Sequence, residues 1–196
     1  MNIDYNVLRG CYLYFKYGVI ALFNAVPSIL YVSLFLVFII GVIVFLYLVD
    51  IKRAFRLTSK LFLAEYVILL FSSTVLSRDV REACGYNLKP FWSYSDFLNG
   101  NLYLIAENLL NIIAFIPVGL LLGLSFVNIK WWKVLLLAIG ISMSIEVAQL
   151  LLSKGFAELD DVMHNTIGAM LGYGLALLFK KIYRYLISKT AIAQRI

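Results

Sequence analysis

From residue 29 to residue 49 the chain runs for 21 positions without one formally charged side chain. A helix of that length rises about 30 Å, the thickness of the hydrocarbon core of a bilayer, and a segment in that medium must satisfy its backbone polar groups internally. Four more apolar runs follow, at 61–76, 102–127, 134–152 and 163–179. The expected fold class is therefore all-α: a polytopic transmembrane helical bundle of about five spans. The composition agrees, with 63% hydrophobic and 14% charged residues among 196, where average globular domains carry about 25% charged. That balance excludes a soluble enzyme, a disordered tail and a nucleic-acid module. Membrane lipids are the expected surroundings, and no nucleic acid is expected as a partner.

Residues 7–26 are apolar and aromatic but hold Arg9 and Lys16 and are interrupted by Asn24 and Pro27. No convincing cleavage site of small residues follows, so the segment reads as an interfacial helix, with a sixth span as the alternative. Three units result: an N-terminal segment 1–28, a transmembrane helical domain 29–179 and a basic tail 180–196. No soluble domain follows any span, so the membrane part is expected to be the whole protein. With five spans, residues 50–60, 128–133 and 180–196 share one side and hold 11 Lys and Arg against the single acid Asp50. The other side holds 6 basic residues and seven acids. The excess of positive charge places the C-terminus in the cytoplasm. Cys11 and Cys84 both fall on the opposite, outer side; their spacing fits no metal or redox motif, and a disulfide between them stays open.

Ionisable groups inside a membrane are costly, so each needs a partner or a function. Glu107, Asn108 and Asn111 sit in the first turns of the third span, Glu146 and Gln149 in the last turns of the fourth, and Asp160, Asp161, His164 and Asn165 open the fifth. All three groups fall in the outer half of the bilayer. Spacings of three and four, as in Glu107 and Asn111, in Ser142, Glu146 and Gln149, and in Asp161, His164, Asn165 and Gly168, put each set on one helix face. Such stripes can be interhelical hydrogen-bonding glue. Three stripes at one depth, rich in carboxylates, exceed what glue requires and point to an outward-facing polar cavity.

Gly119 with Gly123 and Gly168 with Gly172 form two GxxxG patterns that permit close helix approach. Pro117 is expected to break or kink the third span and free a carbonyl near the cavity floor. The outer loop 77–100 carries the aromatic run Phe91-Trp92-Ser93-Tyr94, suited to resting at the membrane interface or to capping the cavity.

The blocks Asn87-Leu88-Lys89-Pro90-Phe91, Glu107-Asn108-Leu109-Leu110-Asn111 continuing to Pro117-Val118-Gly119, Ser144-Ile145-Glu146-Val147-Ala148-Gln149, and Asp160-Asp161-Val162-Met163-His164-Asn165-Thr166-Ile167-Gly168-Ala169 with Gly172-Tyr173 resemble, in order and spacing, those of VanZ-like membrane proteins. The match runs over about residues 87 to 174. It implies a small multi-pass protein of the bacterial cell membrane, whose namesake accompanies glycopeptide-resistance genes and lowers susceptibility to teicoplanin. Asn87, Pro90, Phe91, Asn111, Phe115, Pro117, Gly119, Glu146, Gln149, Asp161, Asn165, Gly168 and Gly172 occupy motif positions. Where many members carry an arginine shortly after the Glu and Gln block, this chain has Lys154-Gly155, which keeps the charge and loses the bidentate fork.

Three functions compete. The first is binding of an amphiphile, a lipid-linked cell-wall component or a lipoglycopeptide, by Asn87, Glu107, Asn108, Asn111, Glu146, Gln149, Asp161 and Asn165, with Pro117, Gly119, Gly123, Gly168 and Gly172 as structural residues. The second is an intramembrane enzyme acting on a lipid-linked substrate through Glu146, Asp160, Asp161 and His164 as acid, base or metal ligands. The sequence has one His and no HExxH, CxxC, Gly-x-Ser-x-Gly or P-loop, so no metal and no cofactor is expected. The third is proton-coupled transport through Glu65, Glu107 and Glu146, for which a homodimer would have to supply the missing repeat symmetry.

Overall fold

The computed structural model describes residues 28–47, 50–81, 84–101 and 103–193. The segment 7–26 and Cys11 lie outside them. The described elements are α1 Ser28–Tyr47, α2 Ile51–Phe71, β1 Gly85–Asn87, α3 Trp92–Leu98, α4 Tyr103–Ser125, α5 Trp131–Leu151, β2 Phe156–Glu158 and α6 Leu159–Ala193. The fold is all-α apart from the parallel pairing of β1 with β2. Among the described residues four helices are long and apolar enough to cross a membrane: Ile51–Leu76, Tyr103–Ser125, Trp131–Leu151 and Leu159–Ser188. Helix α1 corresponds to the run at 29–49, and its qualifying apolar stretch is the shorter Ser33–Phe45. It packs on α2, where a β-carbon at Gly41 would meet Thr58 Cγ2 at 2.8 Å.

Two boundaries differ from expectation. Helix α2 begins ten residues before position 61, because the Asp50 carboxylate accepts the N–H groups of Lys52 at 3.0 Å and Arg53 at 3.2 Å and so caps it. Lys52, Arg53 and Arg56, which in the sequence read as a basic collar ending the first span, therefore lie on helical turns. Their long stems tolerate that position while the charged ends reach out, and the Lys60 ammonium lies 5.1 Å from the centre of the Phe126 ring. Helix α6 starts at Leu159, with Asp160 and Asp161 in its first turn where the helix dipole favours acids, and continues through 35 residues into the expected tail.

Helices α4 and α6 meet along a glycine seam that sets the register of the bundle. A β-carbon at Gly168 would stand 2.0 Å from the Ile112 carbonyl oxygen, and one at Gly172 would stand 1.9 Å from that of Ile116. From the other side, a β-carbon at Gly119 would meet the Ala169 oxygen at 1.7 Å and one at Gly123 the Ala176 β-carbon at 2.4 Å. The two GxxxG patterns thus face each other. Above them Phe115, Val118, Leu122, Ala169 and Tyr173 form the buried core with Leu70 and Val75 of α2 and its extension. Helix α4 continues unbroken through Pro117, which corrects the expectation of a break there. Its neighbour supports it: the Tyr66 hydroxyl donates to the Ala114 carbonyl at 2.8 Å.

Beyond Phe71, α2 widens into a π-helical turn, Ser72–Leu76. The Ser73 and Thr74 hydroxyls bond back to the Leu70 carbonyl at 3.0 and 2.7 Å, a local competition that loosens the regular ladder. The Thr74 carbonyl then accepts the Gln149 amide at 3.0 Å.

Candidate functional site

The end of the bundle that carries the acids is closed by the loop after α2 and the loop before α6. They are joined by β1 and β2 in the register Gly85 to Phe156, Tyr86 to Ala157 and Asn87 to Glu158, and by the Arg81 N–H, which donates to the Ser153 carbonyl at 2.7 Å. Helix α3 then packs against the start of α6 through Asp160. One Asp160 oxygen accepts the Phe91 N–H at 2.6 Å, and the other accepts the Ser93 N–H at 3.0 Å and the Ser93 hydroxyl at 2.6 Å. Asn108 of α4 donates to the Ser93 oxygen at 3.1 Å. This network holds Phe91 at a left-handed φ of 60°, a conformation costly for an aromatic residue without such support. Next to it the Tyr94 hydroxyl and His164 Nε2 share a hydrogen bond of 2.9 Å.

Asp161, the next residue, belongs to a different set. It accepts the Asn111 amide at 2.7 Å and lies within the electrostatic reach of Glu146, Glu158 and Glu107. The buried Glu146 carboxylate accepts the Glu158 N–H at 3.0 Å. One cation, Arg78, acts on Glu146, Glu158 and Asp161 together. Glu158, which precedes the membrane-spanning part of α6, is pushed above its ordinary pKa, first by burial and next by the charge of Glu107. A groove of about 500 Å³ opens between α5, β2 and α6. Glu146 and Glu158 stand on its wall, and Met143, Val147, Val162 and Met163 supply apolar surface.

The expected site residues thus divide. Glu107, Asn111, Glu146 and Asp161 share the carboxylate cluster. Asn108 and Asp160 join the loop-locking network, where both Asp160 oxygens are engaged, and His164 pairs with Tyr94, so the four candidate catalytic residues have different hydrogen-bond partners. Asn165 donates to the Ser142 hydroxyl at 2.8 Å and Gln149 to the Thr74 carbonyl, both buried and both joining helices. Asn87 accepts the Lys89 N–H at 3.2 Å and shapes its own turn. Glu65, named for a proton path, accepts the Ser33 hydroxyl of α1. Cys84 is exposed, with its thiol 3.6 Å from the Ser153 hydroxyl. Among the described residues no three His, Cys, Asp or Glu side chains are placed to hold one metal ion.

Two members of the cluster escape the sequence reading, Arg78 and Glu158. Both lie between helices, where no periodicity assigns a face. Gly155 is the signal that links them. A β-carbon there would stand 3.1 Å from an Arg78 guanidinium nitrogen and 3.5 Å from the Gln149 amide oxygen, so the glycine makes room for the arginine. Lys154 instead donates to the Leu76 carbonyl at 2.8 Å, ending the α2 extension.

The VanZ/LLP1 family profile matches residues 34–180. The protein VanZ of Enterococcus faecium is 33% identical over 93 residues, which cover 46% of this chain and 53% of that protein. The chain thus spans about half the length of this curated relative. No solved structure matches. With the profile covering three quarters of its length, from α1 to the middle of α6, this helical membrane protein belongs to the VanZ/LLP1 family.

Proposed function

We propose that the protein is an envelope accessory of the bacterial cell membrane that binds the polar head of an amphiphile at the carboxylate cluster and its apolar part in the adjoining groove. The observation that carries this reading is the cluster itself. Glu146 and Asp161, from different helices, lie within electrostatic reach of each other, of Glu107 and Glu158 and of the Arg78 guanidinium, beside an apolar groove lined in part by Glu146 and Glu158. A structural role would favour fewer charges, because removing like-charged carboxylates from a low-dielectric site relieves repulsion and desolvation. The amides of Asn111 and the carboxylates offer acceptors and donors to hydroxyl or ammonium groups, as found on lipid-linked cell-wall components and lipoglycopeptides. The excess of Lys and Arg at the opposite end orients the cluster outward and the C-terminus toward the cytoplasm. Likeness to the protein VanZ supports a link to glycopeptide susceptibility.

The test is growth of cells carrying Glu146→Gln or Asp161→Asn across a lipoglycopeptide series, with membrane levels followed by immunoblot. Both variants keep shape and should lose protection at normal protein levels. Full protection in both would remove the site. A protective activity abolished by chelator and restored by one divalent ion would replace binding with metal-assisted catalysis.

A further inference from the structure

At the opposite, basic end a second pocket of about 660 Å³ lies between the start of α2, the end of α4 and the middle of α6. Lys52 and Arg56, one turn apart on α2, line it together with Lys180 and Arg184, one turn apart on α6, and among the described residues no carboxylate lines the space. Phe55, Leu177, Phe179 and Tyr183 give the same pocket apolar and aromatic walls.

The four cations are not equivalent. The Lys180 ammonium donates to the carbonyls of Gly123 at 2.6 Å, Phe126 at 3.0 Å and Val127 at 3.4 Å, and so closes the C-terminal end of α4. Arg184 donates its Nε–H to the Lys180 carbonyl at 3.3 Å, one turn earlier on the same helix. Lining one pocket with Lys52, Arg56, Lys180 and Arg184 costs repulsion that an anion would relieve.

Depth selects the anion. About twenty helical residues cross the hydrocarbon core, and twenty residues of α6 separate Asp160 from Lys180. With the acids at one interface, the pocket sits at the level of the headgroups of the other leaflet. A soluble phosphate would use the charges and leave the apolar walls idle; a phospholipid uses both.

We infer that this pocket binds the phosphodiester headgroup of an anionic glycerophospholipid, with Arg56 and Arg184 holding the phosphate and the aromatic walls receiving the upper acyl chain. The pocket is separate from the carboxylate cluster, and the inference does not depend on the function proposed for that cluster.

The full chain, purified in detergent, tests this by its thermal midpoint with added phosphatidylglycerol, phosphatidylcholine or inorganic phosphate. Saturating phosphatidylglycerol should raise the midpoint by at least about 5 °C, with smaller effects from the other two. Arg56→Gln and Lys52→Gln remove charges that cap no helix, and each should cut the shift by half or more. Lys133→Gln, at the same end but outside the pocket, should keep it. An equal rise with phosphatidylcholine would mean that acyl chains act alone and would overturn the inference, as would an equal rise with phosphate, which would make the site a free-anion site. No rise in wild type, or an undiminished rise in Arg56→Gln, would overturn it too.

Discussion

Asp160 and Asp161 are adjacent in the chain and have opposite surroundings. Asp160 is 1% exposed and accepts three hydrogen bonds from Phe91 and Ser93 at the start of α3, nearly seventy residues away. Asp161 accepts one from Asn111 and lies within the electrostatic reach of three other carboxylates. The first is a buried charge compensated almost completely, which makes it a structural anchor for α3. The second is held in an arrangement that folding alone does not reward. A helix turns by about 100° per residue, so neighbouring acids at its start can bond to α3 on one side and to α4 on the other.

The largest effect should come from breaking the frame that both share. Gly168→Leu places side-chain atoms where the Ile112 carbonyl stands, and should cost at least about 3 kcal/mol by overpacking, a fall of roughly 6–12 °C in the thermal midpoint. Gly168→Ala should do less, and an unchanged midpoint in the leucine variant would remove the seam from the account.

The next pair of substitutions separates the two acids. Asp160→Asn weakens charge-assisted bonds to Phe91 and Ser93 and should lower stability by about 2 kcal/mol, with proteolysis speeding up in the loop before α3. Asp161→Asn keeps a polar partner for Asn111 and relieves repulsion, so its midpoint should stay within about 1 kcal/mol of wild type or rise. Equal losses in both variants would erase the distinction between anchor and site.

A smaller effect should follow pH. Because the pKa of Glu158 is raised in the folded chain, its protonated form is the better accommodated one. The stability linked to it is present below the ordinary glutamate pKa and is lost as pH rises through the folded value. On acidification from neutrality, the wild-type midpoint should therefore gain on that of Glu158→Gln. A constant difference between the two would show that burial and Glu107 do not perturb the group.

The helical class, the polar residues and the glycine seam were legible because apolar length and spacing of three and four are direct signatures of helices in lipid. What stayed hidden depends on contacts between distant loops. The ladder of β1 with β2 is three residues long, too short for an alternating pattern, yet it brings Glu158 to Glu146. The division between Asp160 and Asp161 depends on Phe91 and Ser93, which spacing along α6 cannot reveal. The early start of α2 was obscured because Lys52, Arg53 and Arg56 read as a loop collar, although Asp50 before them is a helix cap. Pro117 reads in the sequence as a break or kink, and α4 runs through it as helix.

The central claim is that the carboxylate cluster holds a ligand, and mass spectrometry of the protein purified from its own membranes tests it most directly. An amphiphile with at least one hydroxyl or amino group should copurify with wild type and with Asp161→Glu, which keeps the charge, and should be lost from Asp161→Asn and Glu146→Gln at equal protein yield. The same amphiphile retained at the same occupancy in both isosteric variants, or absent from wild type, would contradict it.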